Sequence, residues 1–190
     1  GELHGNMKLA KIRIIPKAEA LLSLIKSWRP ISLLTGPHKL YSGVISLRLK
    51  KVIEKVTSRC QKAYSSYNCI HEGLISTYEN IAKSIFQKKS MALVLIDFSR
   101  AFDSIQHKYL FDVLKFFNFG DGIIKMVKTS LTNRKATVIT ANTLTKNFDI
   151  DSGTPQGDLP SPDYFKIAVE PLLIKILSSL IINLYALQFR

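Results

Sequence analysis

Two long stretches in the first half of the chain repeat their apolar residues every three or four positions. In "HKLYSGVISLRLKKVIEKV", Leu40, Val44, Leu47, Val52 and Val56 fall near one helical stripe, with Arg48, Lys50, Lys51 and Lys55 on the other faces. That pattern predicts an amphipathic helix with a basic outer surface. "GLISTYENIAKSIFQKK" repeats it through Leu74, Tyr78, Ile81 and Ile85, and its closing lysines suit the negative end of a helix dipole. Ahead of both, "KIRII" alternates charge with Ile12 and Ile14, which predicts a short strand ended by Pro16. "ALVLIDFSRAFDSI" breaks the helical period. Its unbroken apolar run, Ala92 to Ile96, predicts a strand buried on both faces. Asp97 follows directly. A carboxylate inside such a strand would be costly to desolvate, so it belongs at the strand's end, paired or holding a metal.

The second half continues with a helix from about His107 to Phe117, stopped near Gly120, and another through "IIKMVKTSL". "KATVITANTLTKNFDID" predicts two short strands around Asn142 and Thr143, a hairpin. Ser161, Pro162 and Asp163 read as an N-cap, a proline in the first turn and an early acid, opening a helix through "YFKIAVE" that Pro171 kinks. The class is α+β, with helices before and after a small sheet.

Composition narrows the partners. With 190 residues, 46% of them hydrophobic, the chain can fill one core and a loosely attached second lobe. Its opening on Gly1 suits a fragment or a processed product. A formal charge of +13 favours a polyanion, nucleic acid first and an anionic membrane surface second. Cys60 and Cys69 match no zinc spacing and are too few for a disulfide scaffold, which points to a reducing, intracellular compartment. "ILSSLIINLYALQF" is too short to span a bilayer, so a buried or truncated helix is expected there.

Candidate chemistry sits in three places. Asp97 could bind a metal or form a turn, and Asp103 could cap the helix that follows it. "SGTPQGDLPSPDYF" is a tight, backbone-exposing loop running into a helix, with Gln156 at mid-loop able to donate and accept hydrogen bonds. Lys17 follows the strand-ending proline and Arg29 precedes Pro30, so the pair could hold a phosphate chain, of a triphosphate or a nucleic-acid backbone, or simply be solvated surface charge. Arg134 in "NRKATV" carries the same two readings.

"IIPK", "WRPISLL", "LIDFSRAFDSI" and "SGTPQGDLPSP" occur in the order and rough spacing of the reverse transcriptases of non-LTR (LINE-type) retrotransposons. "NRKATV", leading to the glutamine–glycine loop, resembles the same family. The resemblance runs from about Lys11 to Ile176. Group II intron maturases share this core, but the full "WRPISLL" well after the "IPK" lysine resembles the retrotransposon type more closely. The resemblance implies the fingers and a partial palm of a right-hand polymerase, mainly fingers over about residues 1–90 and palm over about 91–190. It implies an RNA-directed DNA polymerase with Mg²⁺ as cofactor, partnered by an RNA template, a DNA primer and deoxynucleoside triphosphates, with no membrane. Asp97 resembles the first metal-binding aspartate, joined by the backbone carbonyl of Phe98. Phe102 resembles the steric gate that crowds a 2′-hydroxyl. Lys17 and Arg29 resemble the residues gripping the triphosphate, and Gln156 with Gly157 the loop at the nascent base pair. Asp103 is expected in a supporting role behind them.

Two departures stand out. Leu159-Pro160 reverses the family's usual proline-then-aliphatic order. The family's aromatic–x–Asp–Asp hairpin is absent, and no Asp or Glu follows Glu170. Asp149 and Asp151 alternate in the hairpin as ordinary surface residues. The expectation is therefore a truncated domain, inactive by itself, with a non-catalytic nucleic-acid-binding remnant as the rival.

Overall fold

A computed structural model of the chain describes residues 5–17, 23–24, 27–64, 70–140 and 143–179. It is a mixed α+β structure built on a four-stranded sheet of order β2-β1-β3-β4. After a short 3-10 helix at Gly5–Lys8, β1 (Leu9–Pro16) runs antiparallel to β2 (Trp28–Leu33), from Lys11 opposite Leu33 to Pro16 opposite Trp28. Pro16, with no N–H to donate, falls at the strand's last position, where its loss to the ladder is smallest. On its other side β1 pairs in parallel with β3 (Arg134–Ile139), and β3 pairs antiparallel with β4 (Phe148–Ile150). The expected "KATVIT…FDID" hairpin is thus β3–β4; its residues 141–142 lie outside the described ones.

A parallel neighbour requires a long crossover. Here it carries α1 (Gly36–Val56), α2 (Ile70–Phe86), α3 (His107–Phe116) and α4 (Asp121–Leu131) before the chain returns as β3. The last helix, α5 (Ser161–Ser179), continues through Pro171. Ser161 is its first residue, and the hydroxyl donates to the Pro155 carbonyl at 2.8 Å, tying the helix start to the preceding loop. Residues 180–190, where the terminal apolar stretch continues, lie outside the described residues. No helix among the described residues is long and apolar enough to cross a membrane.

The core lies between α1, α3, α4 and α5, where Ile45, Leu49 and Ile53 meet Leu110, Leu114, Val127, Leu131, Tyr164 and Ile167. Helix α1 forms as expected but buries a different face. Its inward residues are His38, Ser42, Ile45, Ser46, Leu49 and Ile53, whereas Leu40 is 76% exposed and Val44 and Leu47 are also exposed. The cause is polar pairing from the far end of the chain. His38 Nε2 lies 3.4 Å from Asp158 Oδ2, and Ser46 donates to Asp163 Oδ2 at 3.2 Å. These partners satisfy polar groups that a hydropathy pattern assigns to solvent.

The largest correction concerns the run before Asp97. Residues 91–98 form no strand, and Met91 and Leu93 through Ile96 are exposed, Leu95 by 84%. None of the sheet's four strands borders them, so the expected burial on both faces does not occur. Helix α2 is present as expected, yet Leu74, Tyr78 and Ile85 on its apolar stripe are exposed too.

Candidate functional site

The segment after Asp97 and the loop before α5 are bonded together along their backbones. Thr154 N–H donates to the Phe102 carbonyl at 2.9 Å, and Gly153 N–H to the Ile105 carbonyl at 2.7 Å. Gln106 and Ser152 form a β-bridge beside them. His107, buried at the start of α3, donates from Nε2 to the Gly153 carbonyl at 2.8 Å. Only glycine suits position 153. Its φ is +79°, and a Cβ there would lie 2.9 Å from the Asp103 Cα.

The loop's other end is bonded to β2. Ser32 N–H donates to the Gln156 carbonyl at 2.9 Å, and Gly157 turns the chain with φ +104°. Beneath it, the Asp158 carboxylate meets His38 and accepts from its neighbour's N–H, Leu159, at 3.1 Å. The reversed Leu159-Pro160 pair places Leu159 outside and Pro160 inside, where the Pro160 carbonyl accepts from Tyr164 N–H at 2.9 Å. Three sequence motifs therefore converge: the β2 strand of "WRPISL", the turn of "DFSRAFDSI" and the loop of "SGTPQGD".

The side chains divide between those that gather there and those that do not. Gln156 Nε2 donates to both oxygens of Asp103, at 3.2 and 3.4 Å. Asp103 is therefore not the cap of α3, whose N-cap position is Gln106. Burial pushes the Asp103 carboxyl above its ordinary value, opposed by the Gln156 hydrogen bond and the Arg100 guanidinium. Phe102 and Phe98 both rest on Phe165 of α5, with ring centroids 5.5 and 5.8 Å away. Both rings are half-buried against the main core, which is also what core packing requires of Phe102. Asp97, just before Phe98, is exposed. Lys17 and Arg29 are exposed near the end of the β1–β2 pair, where Lys17 N–H donates to the Ser27 carbonyl at 2.8 Å and Arg29 faces Ile15.

No three His, Cys, Asp or Glu side chains converge on a cation position among the described residues. Asp149 and Asp151 are exposed, the former in β4, as ordinary surface residues would be. Glu170 is buried and structurally engaged, accepting from the Gln61 side chain and, at 2.8 Å, from Ser58 N–H. It fastens the segment after α1 to α5.

Arg134 departs furthest from the surface charge that its lone position suggests. It is 2% exposed, and its Nε and Nη2 have no hydrogen-bond partner among the described residues. Burial lowers its pKa, with Asp158 and Tyr164 opposing that shift. It lines a cleft of about 190 Å³ together with Pro30, Ser32, Asp103, Thr154 and Gln156. His38, His107 and Asp158 also take part in this arrangement. Asp158 adjoins the glutamine–glycine loop, but the histidines offered no local signal, because their partners lie 120 and 46 positions away.

The model of the family described as reverse transcriptase (RNA-dependent DNA polymerase) matches residues 15–187. The chain is 30% identical over 173 residues to the transposon TX1 uncharacterized 149 kDa protein of Xenopus laevis, covering 91% of this chain and 13% of that protein. It is 26% identical over 169 residues to the retrovirus-related Pol polyprotein from type-1 retrotransposable element R2 of Popillia japonica, covering 87% and 23%. To the probable RNA-directed DNA polymerase from transposon X-element of Drosophila melanogaster it is 25% identical over 138 residues, covering 72% and 15%. The chain thus spans less than a quarter of each of these relatives.

Proposed function

This chain belongs to the reverse transcriptase (RNA-dependent DNA polymerase) family, in its non-LTR retrotransposon type, and from that premise we propose that it serves RNA-templated DNA synthesis inside the cell. In this reading residues about 1–90 are mainly fingers and about 91–190 part of the palm of a right-hand polymerase. An RNA template, a DNA primer and deoxynucleoside triphosphates are its partners. The observation that carries the reading is the clamped loop, which joins the strand bearing Arg29, the turn after Asp97 and Gln156 into one surface.

The chain's own residues have distinct tasks on that surface. Lys17 and Arg29 offer two exposed cations to a triphosphate, Arg29 with a planar fork suited to phosphate oxygens. Phe102 presents a ring braced by Phe165, which would crowd a sugar 2′-hydroxyl. Gln156 and Gly157 offer an amide and close backbone approach to the nascent base pair. Mg²⁺ is a hard cation that takes oxygen ligands, and in nucleotidyl transfer it supplies Lewis-acid stabilisation of the attacking and leaving oxygens. Asp97 and the Phe98 carbonyl are oxygen donors of the right chemistry for one such ion. Among the described residues no group of three His, Cys, Asp or Glu side chains gathers around them to complete a two-metal site. The 190-residue chain by itself is therefore expected to bind nucleic acid without extending a primer.

That same observation favours a second reading, a nucleic-acid-binding remnant that has lost its chemistry. Primer extension on an RNA template, by the longest natural polypeptide containing this chain, separates the two. Mg²⁺-dependent synthesis that Asp97→Asn reduces by orders of magnitude supports the polymerase; template binding without synthesis supports the remnant.

A further inference from the structure

We propose that Asp103 is a positioning residue that decides which end of the Gln156 side-chain amide faces away from the loop. An ionised carboxylate only accepts hydrogen bonds, so the end of the amide turned toward it must be the NH₂ group. The observed contacts, Nε2 to Oδ2 at 3.2 Å and to Oδ1 at 3.4 Å, have that polarity. Oε1 is then directed elsewhere, as a fixed acceptor for whatever approaches the loop. The backbone carrying Gln156 is anchored beside Asp103, so the amide's orientation is left to its side-chain partner. That backbone is bonded on one side through Gly153 and Thr154 to the Asp103 turn, and on the other through the Gln156 carbonyl to Ser32. Gly153 also lets the loop approach the Asp103 backbone as closely as atoms allow.

A neutral partner would lose this control. Asparagine, or a protonated aspartic acid, carries both a donor and an acceptor, so either end of the amide can face it. The charged groups around Asp103 are Arg100 on its own turn, which favours the ionised carboxylate, and Arg134 on β3, which lines the same cleft. His107, from α3, is occupied by the Gly153 carbonyl. The inference rests on the reading in which Gln156 faces the nucleic acid, and its test keeps the two apart.

The test labels the chain at glutamine with ¹⁵N and assigns the Gln156 amide by its loss in Gln156→Ala. As pH falls through the Asp103 titration, the Gln156 NH₂ resonances should move in the wild type and stay flat in Asp103→Asn. Conversely, Gln156→Met should raise the pKa of Asp103, followed by its side-chain ¹³C resonance, because the hydrogen bond to the ionised form is lost. Flat wild-type resonances, or an Asp103 titration indifferent to Gln156→Met, overturn the proposal. In a polymerase containing the domain, Asp103→Asn should raise the nucleotide KM about tenfold and leave kcat within about threefold, as expected when a charge-assisted hydrogen bond becomes a neutral one. Coupled resonances with an unchanged KM uphold the positioning and overturn the assignment of Gln156 to the nucleic acid.

Discussion

Replacing Gly153 with alanine tests whether the loop must lie against the Asp103 turn. The added Cβ meets the Asp103 Cα at 2.9 Å and its carbonyl oxygen at 3.0 Å, both backbone atoms that cannot step aside. A left-handed φ of +79° costs a non-glycine residue roughly 1–2 kcal/mol. Relief of the clash requires the loop to lift, which stretches the Gly153–Ile105 and Thr154–Phe102 hydrogen bonds, each contributing about 0.5–1.5 kcal/mol net. The sum is a loss of about 2–5 kcal/mol. Gly122→Ala is the opposed control: it lies in the exposed first turn of α4 with nothing within 4 Å of a Cβ, so it should stabilise by up to about 1 kcal/mol. Urea unfolding of the two variants beside the wild type measures both. A Gly153→Ala protein within about 0.5 kcal/mol of wild type would refute the close approach on which the site depends.

Phe102→Val should lose about 1–3 kcal/mol in a melting experiment, because its ring packs on Phe165. The same variant should raise the ratio of ribonucleotide to deoxynucleotide incorporation if the ring also crowds the sugar, and an unchanged ratio would leave packing as its whole role. Arg134→Met should stabilise by about 1 kcal/mol in urea unfolding, since it removes two buried donors with no partner while Asp158 keeps His38 and Leu159 N–H. Binding to single-stranded nucleic acid should weaken with salt, at a log–log slope of about 0.7 per phosphate contacted; salt-independent retention would contradict an electrostatic interface. Burial holds the Asp103 and Asp163 carboxyls above their ordinary values, so both bind protons more tightly folded than unfolded. Their contribution to stability is then greatest below the ordinary carboxylate pKa, near pH 4, and is lost as pH rises through the folded values. Urea midpoints measured across that range should show the slope diminished in Asp163→Asn.

Helices α3 and α4, the β3–β4 hairpin and the α+β class were legible in the sequence because local pattern and tertiary environment agree there. In α3, Leu110, Val113 and Leu114 are both periodic and buried. Helix α1 shows what local pattern omits. Its buried stripe includes His38, Ser42 and Ser46, and a polar residue is read as inward only once its partner is known. Asp158 and Asp163 lie 120 and 117 positions from their partners. The run before Asp97 fails in the opposite direction. Its residues have the apolarity of a buried strand, but burial also needs a neighbour, and none of the four strands supplies one.

That failure changes how Asp97 is held. A buried strand ahead of it would fix the carboxylate from the N-terminal side; here that side is an exposed, unpaired run. What positions it comes instead from the C-terminal side. Phe98 stacks edge-on against Phe165, Phe102 packs on the same ring, and the backbone from Phe102 to Ile105 is bonded to Gly153 and Thr154. Phe165 belongs to α5, whose first turn is tied to Pro155 of the loop. The geometry of the first motif therefore depends on the last. Loosening α5 at Phe165 should disturb Asp97 and Gln156 together, although neither residue is its neighbour in sequence.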